Sequence, residues 1–241
     1  MSRKIKGFKP ETLKKIVRDL KTRIEKHVAE LKSGKRIKLV ISAGNIKIGR
    51  CMNVSLAPIV TCKNCGKCKS FCYDVKACLQ YENVREARAK NTALFLFDRI
   101  DFFNQLWDRM SRRRVNKFLR FHVSGEIMDI DHFALMVETA RRFPDFKVWT
   151  YTKMYWIVNE YIRTHGGAKE TALPANFSVM FSEWRGVPIV NPYGLPVFRC
   201  IDLEEGDEIP ENMMQCPGCC DVCKAGNCGC VAGQSAYVFK H

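Results

Sequence analysis

The sequence predicts a parallel α/β protein, a closed or partial barrel, with a basic helix before it and a cysteine-rich, metal-stapled extension after it. Three observations predict this. Between residues 36 and 190, short β-branched runs alternate with segments of helical periodicity, as expected of parallel strands joined by crossover helices. Residues 1–36 hold thirteen Lys/Arg against four acids. Beyond Asn191 the alternation gives way to Pro, Gly and Cys, with six cysteines from Cys216 to Cys230. The chain so divides into a basic amphipathic helix at 1–35, a core at 36–190 carrying a cysteine loop at 51–78, and an extension at 191–241.

The elements follow in order. Pro10 suits a first helical turn, and Leu13, Ile16, Val17, Leu20, Ile24, Val28 and Leu31 form one apolar stripe up to Ser33-Gly34. The stripe packs on the body and leaves Lys14, Lys15, Arg18, Lys21 and Arg23 facing water, with His27 a partly exposed packing residue. Arg36 to Ser42 reads as a strand, and a loop of glycines and polar residues then leads through Cys51 to the cysteine cluster. Helices are expected over 81–97 and 98–113, the second with Ile100, Phe103, Leu106, Trp107 and Met110 inward. Phe118 to Ser124 alternates, with Leu119, Phe121 and Val123 on one face and Arg120, His122 and Ser124 on the other. A helix over 131–143, a strand over 147–153, a helix over 154–164 and a strand over 176–184 complete the alternation, which suggests a TIM-like arrangement. A short strand from Ala236 to Lys240 adds to an edge.

Composition bounds the function. With 241 residues, 46% hydrophobic and 27% charged, the chain suits one well-packed domain with an appendage. It has no apolar run of membrane-spanning length and no export signal, so a cytoplasmic protein with no membrane partner is expected. The net charge of +15 is concentrated at the N-terminus, where residues 1–36 could hold nucleic acid without sequence specificity; the alternative is a solvated helix face.

Thirteen cysteines in a chain read as cytoplasmic point to metal ligation rather than disulfides. Cys62, Cys65, Cys68 and Cys72 follow C-x2-C-x2-C-x3-C, the spacing with which bacterial ferredoxins hold iron–sulfur clusters. Such spacing lets one loop wrap three corners of a cube while the fourth thiolate points away, so remote cysteines complete each set. Cys78 follows closely, and Cys216, Cys219, Cys220, Cys223, Cys228 and Cys230 supply the tail ligands. Two or three [4Fe-4S] clusters are expected; a zinc knuckle or ribbon is the alternative, since C-x2-C also suits tetrahedral zinc. Cys51 and Cys200 are either remote ligands or small buried hydrophobes.

In parallel α/β folds, chemistry sits beyond the C-terminal ends of the strands. The candidates there are His122 as general acid/base or core histidine, and Glu126 and Lys153 as a mutual pair or as grips for the amine and carboxylate of an amino-acid-like ligand. A cluster over that mouth would pass electrons between a donor and a small-molecule substrate.

Several stretches together resemble the gene product 88-like proteins of phages and mobile elements. They are Asn53-Val-Ser-Leu-Ala-Pro58, the run ending Cys72-Tyr73, Asn91, Phe121-His-Val-Ser-Gly-Glu126, Tyr151-Thr-Lys153 and Val238-Phe-Lys-His241. The resemblance runs from about Ile41 to the C-terminus. It implies a cysteine-bound metal or iron–sulfur protein with Cys62, Cys68, Cys72 and the tail cysteines as ligands; Cys65 and Cys78 are additions. A partial resemblance to radical S-adenosylmethionine (SAM) enzymes rests on the cysteine loop after the first strand and on Ser124-Gly125-Glu126, where those enzymes carry Gly-Gly-Glu to bind SAM. Cys68 and Cys72 fit the first half of their C-x3-C-x2-C signature, but Val75 stands where the third cysteine belongs. Protein capping of the fourth iron would remove the SAM chemistry.

Overall fold

The computed structural model describes residues 7–184 and 187–239. The chain starts with α1, Pro10–Lys32, whose stripe of Ile16, Leu20 and Ile24 is buried. A hairpin follows, β1 Ser42–Asn45 and β2 Gly49–Val54, paired antiparallel. The cysteine loop leads into α2, Tyr73–Gln80, and then α3, Glu82–Phe97, and α4, Arg99–Ser111. Next come β3 Phe118–Phe121, α5 Ile130–Arg142, β4 Lys147–Thr152, α6 Tyr155–Thr164, α7 Lys169–Ala172 and β5 Phe177–Glu183. The rest holds β6 Val197–Ile201, β7 Met214–Gln215, α8 Cys220–Gly226 and β8 Ala236–Phe239.

These strands form one eight-stranded sheet in the order β1-β2-β3-β4-β5-β6-β8-β7. From β2 onward every pairing is parallel. The parallel α/β sheet is found, but it is open rather than closed into a barrel. The sheet ends at an antiparallel hairpin strand on one side and a two-residue strand on the other, and among the described residues those edges do not meet. Too few strand–helix units follow one another to bend the sheet into closure.

Consecutive parallel strands joined by crossovers of one hand carry their helices on one face. Met52, Val54, Leu119, Phe121, Val148, Val179 and Phe181 accordingly pack with Phe102, Phe103, Leu106, Phe133, Val158 and Ile162 in the main core. The opposite face would be bare. The extension covers it: Cys51, Trp149 and Met180 pack with Cys223, Cys230, Val231 and Ala236. The tail is also woven into the sheet, with β8 between β6 and β7.

Several boundaries differ from expectation for physical reasons. Residues 36–41 form no strand, because side chains take their backbone groups. Asn91 Oδ1 accepts from Val40 N at 2.8 Å and Gln105 Oε1 from Leu39 N at 2.8 Å. The alternating run at 118–124 stops at Phe121, since His122 adopts φ +55°. The terminal strand is found over Ala236–Phe239; Lys240 lies outside the described residues. His27 is buried, not partly exposed, with Nδ1 2.8 Å from Glu30 Oε2. Arg23 turns from water to Asp19, Glu82 and Glu86, tying α1 to α3.

Candidate metal centre

The loop of Cys62, Cys65, Cys68 and Cys72 leaves β2 at the C-terminal end of the parallel strands. Side chains dock it there: Asn64 Nδ2 donates to the Lys153 carbonyl at 3.0 Å and Lys63 Nζ to the Met128 carbonyl at 3.2 Å. Cys72 stands at the N-terminus of α2. Burial pushes its thiol up to about 11, while the amides of Val75 and Asp74 pull the other way. Burial also raises Cys68, opposed by the Lys153 ammonium beside it. Cys62 goes up through burial first and then Glu126, Cys72 and Cys65. The loop thiols thus share one neighbourhood with Glu126 and Lys153. Cys78 on α2 is fully buried with Ile16, Leu20, Val75 and Ala89, and Cys72 packs against the same cluster. The Cys78 sulfur faces Asp74 Oδ2 at 3.8 Å.

The turn after β3 shapes the other wall. Gly125 has φ +87°, and a Cβ there would lie 2.7 Å from Leu56 Cβ and 2.9 Å from Thr61 Oγ1. Glycine is therefore needed on two counts, conformation and close approach. Ser124 O accepts from Leu56 N at 3.0 Å, and Ser124 Oγ is buried without a hydrogen-bond partner. Glu126 is gripped by the backbone. Its Oε1 accepts from Thr152 Oγ1 at 2.7 Å and Ile127 N at 2.9 Å, its Oε2 from Lys153 N at 3.0 Å. Burial raises its pKa, with the Lys153 charge and those donors opposing. Glu126 and Lys153 thus meet through Lys153's amide.

His122 does not join them in a hydrogen bond. Its positive φ turns the ring into the helix-side core, with Nε2 3.2 Å from His132 Nε2 and Phe121 alongside. Burial depresses both imidazoles, His122 to about 3. The two imidazoles form a neutral, enclosed pair. A cavity of about 540 Å³ beside the loop is lined by Asn64, Lys153, Tyr155, Trp156 and Tyr193.

The tail thiols form a second group on the sheet face. Cys220 N donates to Lys47 O at 2.8 Å, anchoring α8 to the β1–β2 hairpin. Cys51, Cys220, Cys223, Cys228 and Cys230 pack together with Tyr151. Burial pushes Cys51 and Cys230 up to about 11 and Cys223 up to about 12. Arg120 projects from β3 onto this face, its Cζ 4.6 Å from the Tyr151 ring centroid. Its Nε is buried without a hydrogen-bond partner. Among the described residues no three His, Cys, Asp or Glu side chains stand as a ready-made site for one metal ion.

Arg120 is legible in the sequence only as a residue of the polar strand face, because nothing local says that the tail covers that face. Asp74 and Arg88, whose bidentate pair joins α2 to α3, carry no local signal either. Acid and base lie fourteen residues apart across a helix break.

The molecule is thus an open-sheet α/β protein with one thiol group at its strand ends and another under its tail. It belongs to the gene product 88 family, whose model matches residues 12–184. The match takes in α1, which the motif resemblance left out, and stops before the tail cysteines. No curated protein and no solved structure matches the chain. No helix among the described residues is long and apolar enough to cross a membrane.

Proposed function

We propose that this is an iron–sulfur protein of a phage or mobile element. Two or three [4Fe-4S] clusters would be held by Cys62, Cys65, Cys68 and Cys72 and by the tail cysteines. The observation that carries the reading is the loop: four thiols at ferredoxin spacing, gathered at the strand ends beside Lys153 and Glu126. The donor chemistry fits an anionic metal–thiolate group. Cys68 faces an ammonium and Cys72 the amide end of a helix, and both work against the burial that raises these thiols. Loading draws the thiols together and releases their protons, so metal binding and local folding are coupled.

When bound, the clusters would supply one-electron transfer. The chain's own residues do the rest. Lys153 presents a cation to a small molecule in the adjoining cavity, with Asn64 and Trp156 on its walls. Glu126, held by three donors, fixes the Lys153 backbone rather than reaching into that space. With Glu126 so occupied and Val75 in place of a third signature cysteine, reductive chemistry or electron transfer suits the site better than SAM cleavage. Anaerobic protein should show a brown chromophore bleached reversibly by dithionite, and C65S/C68S should remove the loop's share. Unchanged colour in that variant would sink the assignment of the loop.

A second reading, nucleic-acid binding with structural zinc, is favoured by one feature: Lys14, Lys15, Arg18 and Lys21 stand exposed together on α1. It predicts binding to DNA or RNA that weakens with salt, and whose salt dependence flattens when these four are reversed to Glu.

A further inference from the structure

Trp156 stands in the first turn of α6, where Tyr155 and Ile157 on either side of it are buried. Among the described residues, which include all four tryptophans, Trp156 alone is exposed, at 59%. Trp149 is buried, and Trp107 and Trp184 each face a cation, Arg142 at 3.9 Å and Lys153 at 5.9 Å from the ring centroid. No ring or cation among the described residues lies against Trp156. Its indole instead forms a wall of the cavity of about 540 Å³ beside the cysteine loop, a volume within the range of small-molecule sites. That cavity is held in shape from two sides. Asn159 Nδ2 donates to Val190 O at 2.8 Å, tying α6 to the segment that brings Val187 and Tyr193 to the opposite lining. The loop closes on the same segment, since a Cβ on Gly66 would lie 3.0 Å from Val187 Cγ2.

The charges around the cavity decide what it takes. Glu160 and Arg163 answer each other in a bidentate pair at 2.7 and 2.8 Å. Glu126 is occupied by its three donors. No carboxylate is left to receive an ammonium, which argues against an amino-acid-like ligand. Lys153 makes no ion pair among the described residues, and neither does Lys67, exposed on the loop next to Gly66. Aromatic and apolar walls with positive charge to spare suit a planar ring that carries an anion. We propose that this cavity binds a nucleobase together with its phosphate, the base stacked on Trp156 and the phosphate on Lys153. The base belongs either to a free nucleotide or to the end of a single strand. This names the ligand of the cavity beside Lys153 and rests on the reading of that cavity as a ligand site, while it stands apart from which metal the cysteines hold.

The test uses the anaerobically purified full-length chain as parent, W156A, W156F and K153M. Equilibrium dialysis measures binding of AMP, adenosine, a short single strand of adenylates and indole-3-acetate. AMP should bind the parent more tightly than adenosine, and K153M, which keeps the backbone amide that Glu126 holds, should erase the difference. W156A should weaken AMP by about tenfold, or about 1.4 kcal/mol, and W156F should restore most of it. A strand bound more tightly than AMP, with the same loss in W156A, identifies the ligand as a single strand; AMP bound as well as the strand identifies a free nucleotide. Strand binding that W156A leaves unchanged, with no AMP bound, belongs to the α1 lysines and overturns the proposal. K153M that weakens adenosine as much as AMP overturns the phosphate contact. Indole-3-acetate bound without AMP or strand keeps the cavity as a ligand site and overturns the nucleotide, and failure of all four probes overturns both. W156A that melts below the parent also overturns the proposal, since the ring would then be supporting the fold.

Discussion

Asp74→Asn strikes the joint that holds the cysteine loop against the helices. Asp74 lies in the first turn of α2, two residues after Cys72. Its carboxylate accepts from Arg88 Nε at 3.0 Å and Nη2 at 2.8 Å, with the side chains 3% and 13% exposed. The amide keeps the shape but turns one acceptor into a donor and leaves the guanidinium without its anion. Breaking a buried pair from one side costs about 3–5 kcal/mol. A domain of this kind has roughly 5–15 kcal/mol in all, so the loss is a large share of its stability. Urea unfolding of metal-free protein should show that loss in the midpoint with an unchanged slope. The D74L/R88M double variant should recover most of it, since two apolar side chains leave no orphan charge. In D74N the loop thiols should also react with a disulfide reagent below the unfolding transition. A midpoint cost under about 1 kcal/mol, or thiols as slow as in the parent, would refute the assignment of this pair as the clamp.

Other outcomes follow from the same geometry. Asn91→Ala removes hydrogen bonds to Val40 N, Val40 O and Ser55 O at 2.8, 2.8 and 3.1 Å, and should cost about 3 kcal/mol in urea unfolding. Gly125→Ala adds left-handed strain to contacts with Leu56 and Thr61, and should cost about 2–4 kcal/mol, read as a lower melting temperature. His122, held near 3 when folded and ordinary when unfolded, contributes stability that is present above pH 6.5 and lost as pH falls towards 3. Its share of the loss between pH 7 and 5 is about 2 kcal/mol, and H122N, suited to φ +55°, should flatten the urea midpoint against pH by that amount.

The helices were readable because each carries its own apolar period: α3, α4, α5 and α6 fall within a residue or two of expectation. The β1–β2 hairpin was not. Gly-Arg-Cys-Met-Asn-Val has little alternation, and the stronger β-branched run before it is satisfied by Asn91 and Gln105, more than fifty residues away. Helix α2 was hidden inside the cysteine spacing, so the packing of Cys78 under α1 was not visible. β6 was lost among the Pro and Gly of the tail, because one of its two partners, β8, comes from the far end of the chain. At the site, the cysteine spacing and the Ser124-Gly125-Glu126 turn were visible as motifs. The turning of His122 away from them depends on one backbone angle, and the cover over Arg120 Nε on which segment packs there.

Iron and acid-labile sulfide per chain, measured on anaerobically purified full-length protein alongside its Mössbauer spectrum, bear most directly on the iron–sulfur assignment. Iron and sulfide are expected in equal amounts, eight or twelve of each per chain, with the quadrupole doublets of four-iron clusters. Stoichiometric zinc without sulfide, or thirteen thiols titrating free of any metal, would contradict it.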